Sequence, residues 1–273
     1  MQDNSRLFEE GVGMHIDTIL NQIKQQRFEP VESSWAQGRT LFGGITGAIL
    51  CQVASEGVEA DRRLKHFQVE FVRPTLAETP YQVVSEDISH GKTLTSREVR
   101  LIQDDKIRVT ARADFVRPIE SDVRIETFTP PKLKQPNQGT ALSGVGLPAF
   151  VGHFDNFVTT EGVPFQGHNV PELGGWMRFL KSPEKITEAH LVALIDAWPP
   201  TAAPFYTGFK PVSTVSWSIH FTDQVDSVPK DEHLGYLAKV NFGSDGVSSS
   251  TADIWTPDGR LVAKSLQTNL IFA

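Results

Sequence analysis

The chain has 273 residues, 39% of them hydrophobic and 22% charged, a balance that supports a packed globular core and excludes wholesale disorder. Its formal net charge of −7 lacks the basic footprint that phosphate-backbone binding requires, so no nucleic-acid partner is expected. No apolar run approaches the roughly 20 residues that span a bilayer, residues 1–10 are too polar for a signal peptide, and the single cysteine, Cys51, excludes an internal disulfide. A cytoplasmic protein without membrane contact is expected.

The first element in chain order is a helix over residues 42–58, FGGITGAILCQVASEGV, whose small and aliphatic residues leave almost no polar face. Such a helix must be buried. Cys51 lies in this text and reads as packing rather than as a nucleophile. Four segments of strand character follow, over 66–73, 81–89, 93–103 and 106–117. In the last, Ile107, Val109, Ala111, Ala113 and Phe115 share one face and Arg108, Thr110, Arg112 and Asp114 the other, the alternation of a half-buried strand. Asp104-Asp105 supplies a short hairpin turn.

Residues 119–150, rich in proline and glycine and poor in periodic apolar positions, read as a linker. Beyond them come two short strand-like pieces, over 153–160 and 175–181. A second apolar helix follows over 183–198, with Pro183 at its start and Pro199-Pro200 ending it. Strand text resumes over 212–222, 233–242, 247–255 and 260–272, with Pro257-Asp258-Gly259 as the last hairpin turn.

The two series match in order, each a buried helix followed by antiparallel strands. Ile107 overlays Leu261 at an offset of 261 − 107 = 154, and Phe71 overlays Phe221 at 221 − 71 = 150, a drift that a loop insertion would produce. The pattern predicts an internally duplicated α+β chain with one unit over 1–118, a linker over 119–150 and a second unit over 151–273. Two such units, each with unpaired sheet edges, are expected to join edge to edge, with clefts along the seam.

Several chemistries are excluded. Gly91-Lys92-Thr93 lacks the glycine that a phosphate loop needs five positions before Gly91, where Glu86 stands. Gly43-Gly44-x-x-Gly47 is not a dinucleotide fingerprint and reads as tight packing at a helix entry. No G-x-S-x-G elbow or H-E-x-x-H occurs, and the eight histidines show no metal-ligand spacing. One residue stands out: Asp196, a carboxylate in the apolar text HLVALIDAWPP, on the face of Ala189, Val192 and Ala193. Two readings stay open for it. It either reaches solvent at the helix end, or it is a buried functional group that needs hydrogen-bond partners. Candidate partners are Thr214, on the strand face of Ser216, Ser218 and His220, and Gln267, on the face of Ala263, Ser265 and Asn269; each also reads as an ordinary exposed strand residue.

At these residues the sequence resembles the double hotdog acyl-CoA thioesterases, the thioesterase II family. The resemblance is carried by Phe42-Gly43-Gly44, by His66-Phe67-x-x-x-Phe71-x-Arg73-Pro74, and by Gly91-Lys92-Thr93-x-x-Ser96-Arg97-x-Val99 with Gln103. In the second unit the family's catalytic Asp, Thr and Gln fall on Asp196, Thr214 and Gln267. The resemblance implies a pseudo-dimer of two hotdog units, each an antiparallel sheet wrapped round a long helix. It also implies hydrolysis of an acyl-CoA in fatty-acid metabolism, no metal or organic cofactor, and a homo-oligomer of dimer size or larger. The roles it implies are water activation at Asp196, positioning by Thr214 and Gln267, and an oxyanion donor at the helix start around Gly44. The chain departs from the family after the threonine, where Ser216 and Trp217 replace an acidic residue and a histidine.

Basic side chains for the phosphates of coenzyme A have candidates in Arg62, Arg63, Lys65, Lys132 and Lys134, none of them assigned a site. Two other activities stay open: a hydratase or dehydratase on the same architecture, for which His190 is six residues from Asp196 and on another helix face, and a non-catalytic acyl-CoA binder.

Overall fold

The structure is a computed structural model that describes residues 13–144 and 146–272; the polar stretch 1–10 lies outside them. A helix that the sequence reading does not anticipate comes first. In α1 (Ile16–Lys24), Ile16, Ile19, Leu20 and Ile23 are buried at the spacing of one helix face. A two-strand hairpin, β1 (Ala36–Gln37) with β2 (Thr40–Leu41), then leads into α2 (Gly43–Ser55). α2 is buried almost throughout, as its lack of a polar face requires. Cys51 within it is fully enclosed, and burial pushes its thiol well above the ordinary range, so it stays protonated packing.

The four segments expected after α2 form β3 (Arg63–Phe71), β4 (Gln82–His90), β5 (Leu94–Gln103) and β6 (Lys106–Val116). Asp104 and Asp105 join the last two with φ of 50° and 55°, the left-handed pair of a tight hairpin turn. The proline-rich stretch after β6 ends in a short strand, β7 (Thr140–Ala141), and then β8 (Phe154–Val158) and β9 (Glu172–Phe179). This stretch therefore contributes an edge strand to the sheet. It is strapped to the sheet where the Trp176 indole donates to the Lys134 carbonyl at 2.8 Å.

The second apolar helix, α3 (Glu188–Ile195), is shorter than the expected 183–198. Pro183 does not open it. Thr187 caps it instead, with the hydroxyl 2.8 Å from Nδ1 of His190, and Pro199-Pro200 prevent continuation beyond Asp196. The remaining strands are β10 (Val212–Phe221), β11 (Leu234–Ser244), β12 (Val247–Trp255) and β13 (Leu261–Ile271).

Eleven strands make one antiparallel sheet in the order β4-β5-β6-β3-β10-β13-β12-β11-β9-β8-β7. Its centre is the pairing of β3 with β10, which places Val69 opposite Trp217 and Phe67 opposite Ile219. Outward from β3 lie β6, β5 and β4; outward from β10 lie β13, β12 and β11, the same order counted from each strand. The inner face encloses α2 and α3, which pack against each other.

Glycines bring the two helices together. A Cβ at Gly44 would lie 2.9 Å from the Ala193 carbonyl oxygen, and one at Gly47 would lie 2.9 Å from Cγ1 of Val192. The glycine-rich entry is therefore close packing, as its sequence suggests. Alanine within a helix ordinarily stabilises by about 1 kcal/mol relative to glycine. Gly44→Ala should do the opposite and lower the free energy of unfolding by about 1–3 kcal/mol, the usual cost of overpacking. Its urea midpoint against that of the native chain is the check, and a stabilised variant would show the contact to be slack.

Candidate active site

A cleft of about 430 Å³ opens where α2 begins, α3 ends and β3, β10 and β13 reach one edge of the central sheet. Leu142, Leu147 and Phe150, from the proline- and glycine-rich stretch before β8, form another of its walls. The lining is mostly apolar and aromatic, with Phe42, Phe71 and Trp198 among its members, the composition of a pocket for a largely hydrocarbon ligand.

Polar groups converge on its floor. Asp196 is the C-cap of α3, and its carboxylate projects over the first turn of α2. The Gln267 amide donates to Oδ1 of Asp196 at 2.8 Å and to the Thr214 hydroxyl oxygen at 3.1 Å. The Thr214 hydroxyl in turn donates to Oδ1 of Asn269 at 3.1 Å. Oδ2 of Asp196 lies over Gly43, where a Cβ would sit only 2.8 Å away, so a side chain at that position would push the carboxylate from its place. The Gly44 amide hydrogen-bonds the same carboxylate. The structure thus brings together all four residues singled out from the sequence: Asp196, Thr214, Gln267 and Gly44. It adds Asn269, which is 2% exposed and ends the hydrogen-bond chain.

The strand geometry corrects one expectation. Plain alternation puts Thr214 on the face of Ser216, Ser218 and His220, but a β-bulge at Val215 separates the pairs Thr214 with Asn269 and Ser216 with Thr268. The extra residue turns Thr214 to the opposite face, that of Trp217 and Ile219, which looks inward. The face of Ala263, Ser265, Gln267 and Asn269 is likewise the inner one, while Leu266 between them is 46% exposed. Small polar side chains lie inside and an aliphatic one outside, the reverse of the usual reading.

Asp196 keeps a little solvent contact through the cleft but is surrounded by protein on almost all sides. Burial raises its pKa to about 7, against the opposing pull of the Gln267 and Gly44 hydrogen bonds. A carboxyl poised there can accept a proton at neutral pH and return it. Among the described residues no histidine lines the cleft. His190 is buried elsewhere, one ring nitrogen 2.8 Å from the Thr187 hydroxyl and the other 2.8 Å from Asp17 of α1. Ser216 and Trp217 do not line the cleft either; the Trp217 indole is buried and donates to Ser265 Oγ at 2.8 Å. Nor do Arg62, Arg63, Lys65, Lys132 or Lys134, and the cations that do are Arg73 and Lys210. No group of three or more His, Cys, Asp or Glu among the described residues is arranged to hold a metal ion.

The sequence matches the acyl-CoA thioesterase N-terminal domain over residues 31–116 and the acyl-CoA thioesterase C-terminal domain over residues 126–271. No curated protein is significantly similar in sequence. Among solved structures, a conserved protein of unknown function with a hot dog fold from Alicyclobacillus acidocaldarius is similar at a TM-score of 0.80 and 20% identity, over 89% of this chain and 92% of that one. The TesB protein of Mycobacterium avium subsp. paratuberculosis is similar at 0.68 and 19%, over 87% and 90%. The acyl-CoA thioesterase II TesB2 of Mycobacterium marinum is similar at 0.68 and 16%, over 85% and 91%. The fold is of the hotdog type.

The raised pKa has a consequence for stability. The unfolded chain releases the Asp196 proton around its ordinary value of 3.8, the folded chain around 7. Across that window the folded state binds the extra proton, so stability falls as pH rises and the loss is complete above the folded pKa. Asp196→Asn cannot ionise. It should be more stable than the native chain by about 4 kcal/mol at about pH 8 and lose nearly all of that advantage at about pH 4. Urea unfolding at the two pH values measures this, and an advantage independent of pH would refute it.

Proposed function

The chain belongs to the acyl-CoA thioesterase family and is a hydrolase of thioester bonds, and we propose that it cleaves an acyl-CoA to the free acid and coenzyme A at the Asp196 cleft. The observation that carries this reading is the buried carboxylate of Asp196, held by Gln267 at 2.8 Å at the floor of an apolar cleft and poised at a pKa of about 7. In this reading Asp196, Thr214 and Gln267 are the catalytic trio.

The Asp196 carboxylate takes a proton from water as the water oxygen attacks the thioester carbon. Gln267 and Thr214 hold the carboxylate and the water in line. Negative charge develops on the carbonyl oxygen, and the α2 N-terminus is the donor group we assign to it, the Gly44 amide turning to the oxyanion as Asp196 takes up its proton and its hold on that amide weakens. Collapse of the tetrahedral intermediate breaks the C–S bond, and protonated Asp196 returns its proton to the departing thiolate. No metal or organic cofactor enters these steps. A hydratase reading has less support, because it calls for an imidazole beside the carboxylate and His190 is committed to Thr187 and Asp17.

The proposal includes two hotdog units, over 1–118 and 151–273, joined by 119–150 into a pseudo-dimer. The mirrored strand order about β3 and β10 supports it. One of the two related clefts carries the polar trio, so one is assigned activity. On the family likeness alone, the proposal extends to a cytoplasmic homo-oligomer acting in fatty-acid metabolism.

Thiol release from a panel of acyl-CoA substrates tests the reading. Asp196→Asn should lower kcat by at least about 100-fold, and the native kcat/KM should rise with pH through about 7 as the base ionises. Full turnover in a folded Asp196→Asn variant would remove Asp196 from the mechanism; coenzyme A binding with no thiol release would favour a binder. Asn269 makes a separate prediction, as a positioning residue that orients the Thr214 hydroxyl. Asn269→Leu should lower kcat about tenfold with little change in KM. Asn269→Asp should retain most turnover at high pH while its added charge moves the acid limb upward. Equal losses in both variants with no displaced limb would reduce Asn269 to packing.

A further inference from the structure

Three charged side chains line the cleft among the described residues: Asp196 at the floor, Arg73 and Lys210. Arg73 lies just past the end of β3 and Lys210 just before the start of β10. These strands are antiparallel neighbours with Glu70 opposite Ser216, so both cations emerge at the same end of the central pairing. Among the described residues neither is paired with a carboxylate; the Arg73 guanidinium donates to the Ile107 carbonyl at 3.0 Å. In a chain of net charge −7, two such cations on the lining of a mostly apolar cleft form a local positive spot that the whole-molecule charge does not predict.

The same lining carries apolar groups that folding leaves in water. Phe209 is 66% exposed, Val72 50% and Leu147 45%, and all three line the cleft. Phe209 adjoins Lys210 in sequence, and its ring lies 5.6 Å from that of Phe165. Exposed apolar groups gathered at a cleft mark a binding surface. An aromatic face beside a cation suits one ligand chemistry in particular, a planar base carrying phosphates.

We propose that Arg73, Lys210 and Phe209 form a nucleotide-recognition rim, in which the two cations take phosphates of coenzyme A and the Phe209 ring stacks on the adenine. The inference rests on the acyl-CoA reading and deepens it. The floor acts on the thioester, which every pantetheine carrier shares; the rim recognises the nucleotide, which only coenzyme A has. The cleft therefore selects the acyl group on coenzyme A over the same acyl group on bare pantetheine.

The test measures kcat/KM for one acyl group on both carriers, in the native protein and in Arg73→Gln/Lys210→Gln. The native protein should prefer the coenzyme A thioester, and salt should erode that preference. In the double variant the preference should fall about 2-fold to 30-fold through KM, from two solvent-accessible ionic contacts, and Phe209→Ala should lower it further. A preference the same in native and variant proteins overturns the rim, as does a variant that loses both substrates in equal proportion. If the native protein releases thiol from neither carrier, the thioesterase reading fails. Equilibrium binding of coenzyme A then decides the rim separately, since a Kd equal in native and double-variant proteins rejects it.

Discussion

A carboxylate at the end of one helix is held against the beginning of another, and much of the structure follows from keeping it there. Asp196 occupies the C-terminal cap of α3, where that helix's own dipole disfavours negative charge, yet its carboxylate lies over the first turn of α2, where free amides favour it. The antiparallel contact of the two helices makes this possible. Gly43 lets the carboxylate lie against the backbone, and Gly44 and Gly47 let the helices approach. Burial still wins over these donors, so the group's pKa settles near neutrality instead of in the usual carboxylate range.

The sheet supplies the remaining partners. Thr214, Gln267 and Asn269 lie on adjacent strands, β10 and β13, and the bulge at Val215 turns the threonine inward to meet the other two. Donor and acceptor roles then run in one direction: Gln267 donates to both Asp196 and Thr214, and Thr214 donates to Asn269. A chain with a single sense fixes the glutamine's orientation, because a carboxylate can only accept. Leu142, Leu147 and Phe150 close another side of the cleft, so a segment that looks among the least structured in sequence contributes a wall to the site.

Much of this was legible in the text. The apolar runs around Cys51 and Leu194 announce enclosed helices, strict alternation in β6 announces a half-buried strand, and Asp196 stands out as an acid in apolar surroundings. Other features were not. α1 escapes the reading although Ile16, Ile19, Leu20 and Ile23 fall at the spacing of one helix face, because nine residues make only a short run of that pattern. α3 opens at Thr187 and not at Pro183, because a capping hydroxyl with His190 decides the start.

The two apolar helices α2 and α3, ten of the strands with their order, and the acid around which a site could form were readable from the chain alone, because periodicity and composition are local properties. Tertiary structure alone decided that the polar face of β13 looks inward and that Thr214 shares its side. It also decided that the Asp196 carboxylate rests over the start of α2, and that Arg73 and Lys210 meet at one cleft. These depend on strand register, on a bulge that shifts side-chain alternation by one residue, and on approaches between segments more than a hundred residues apart. No local pattern encodes such distances, so the chemistry of the site becomes readable only once the sheet has wrapped the helices.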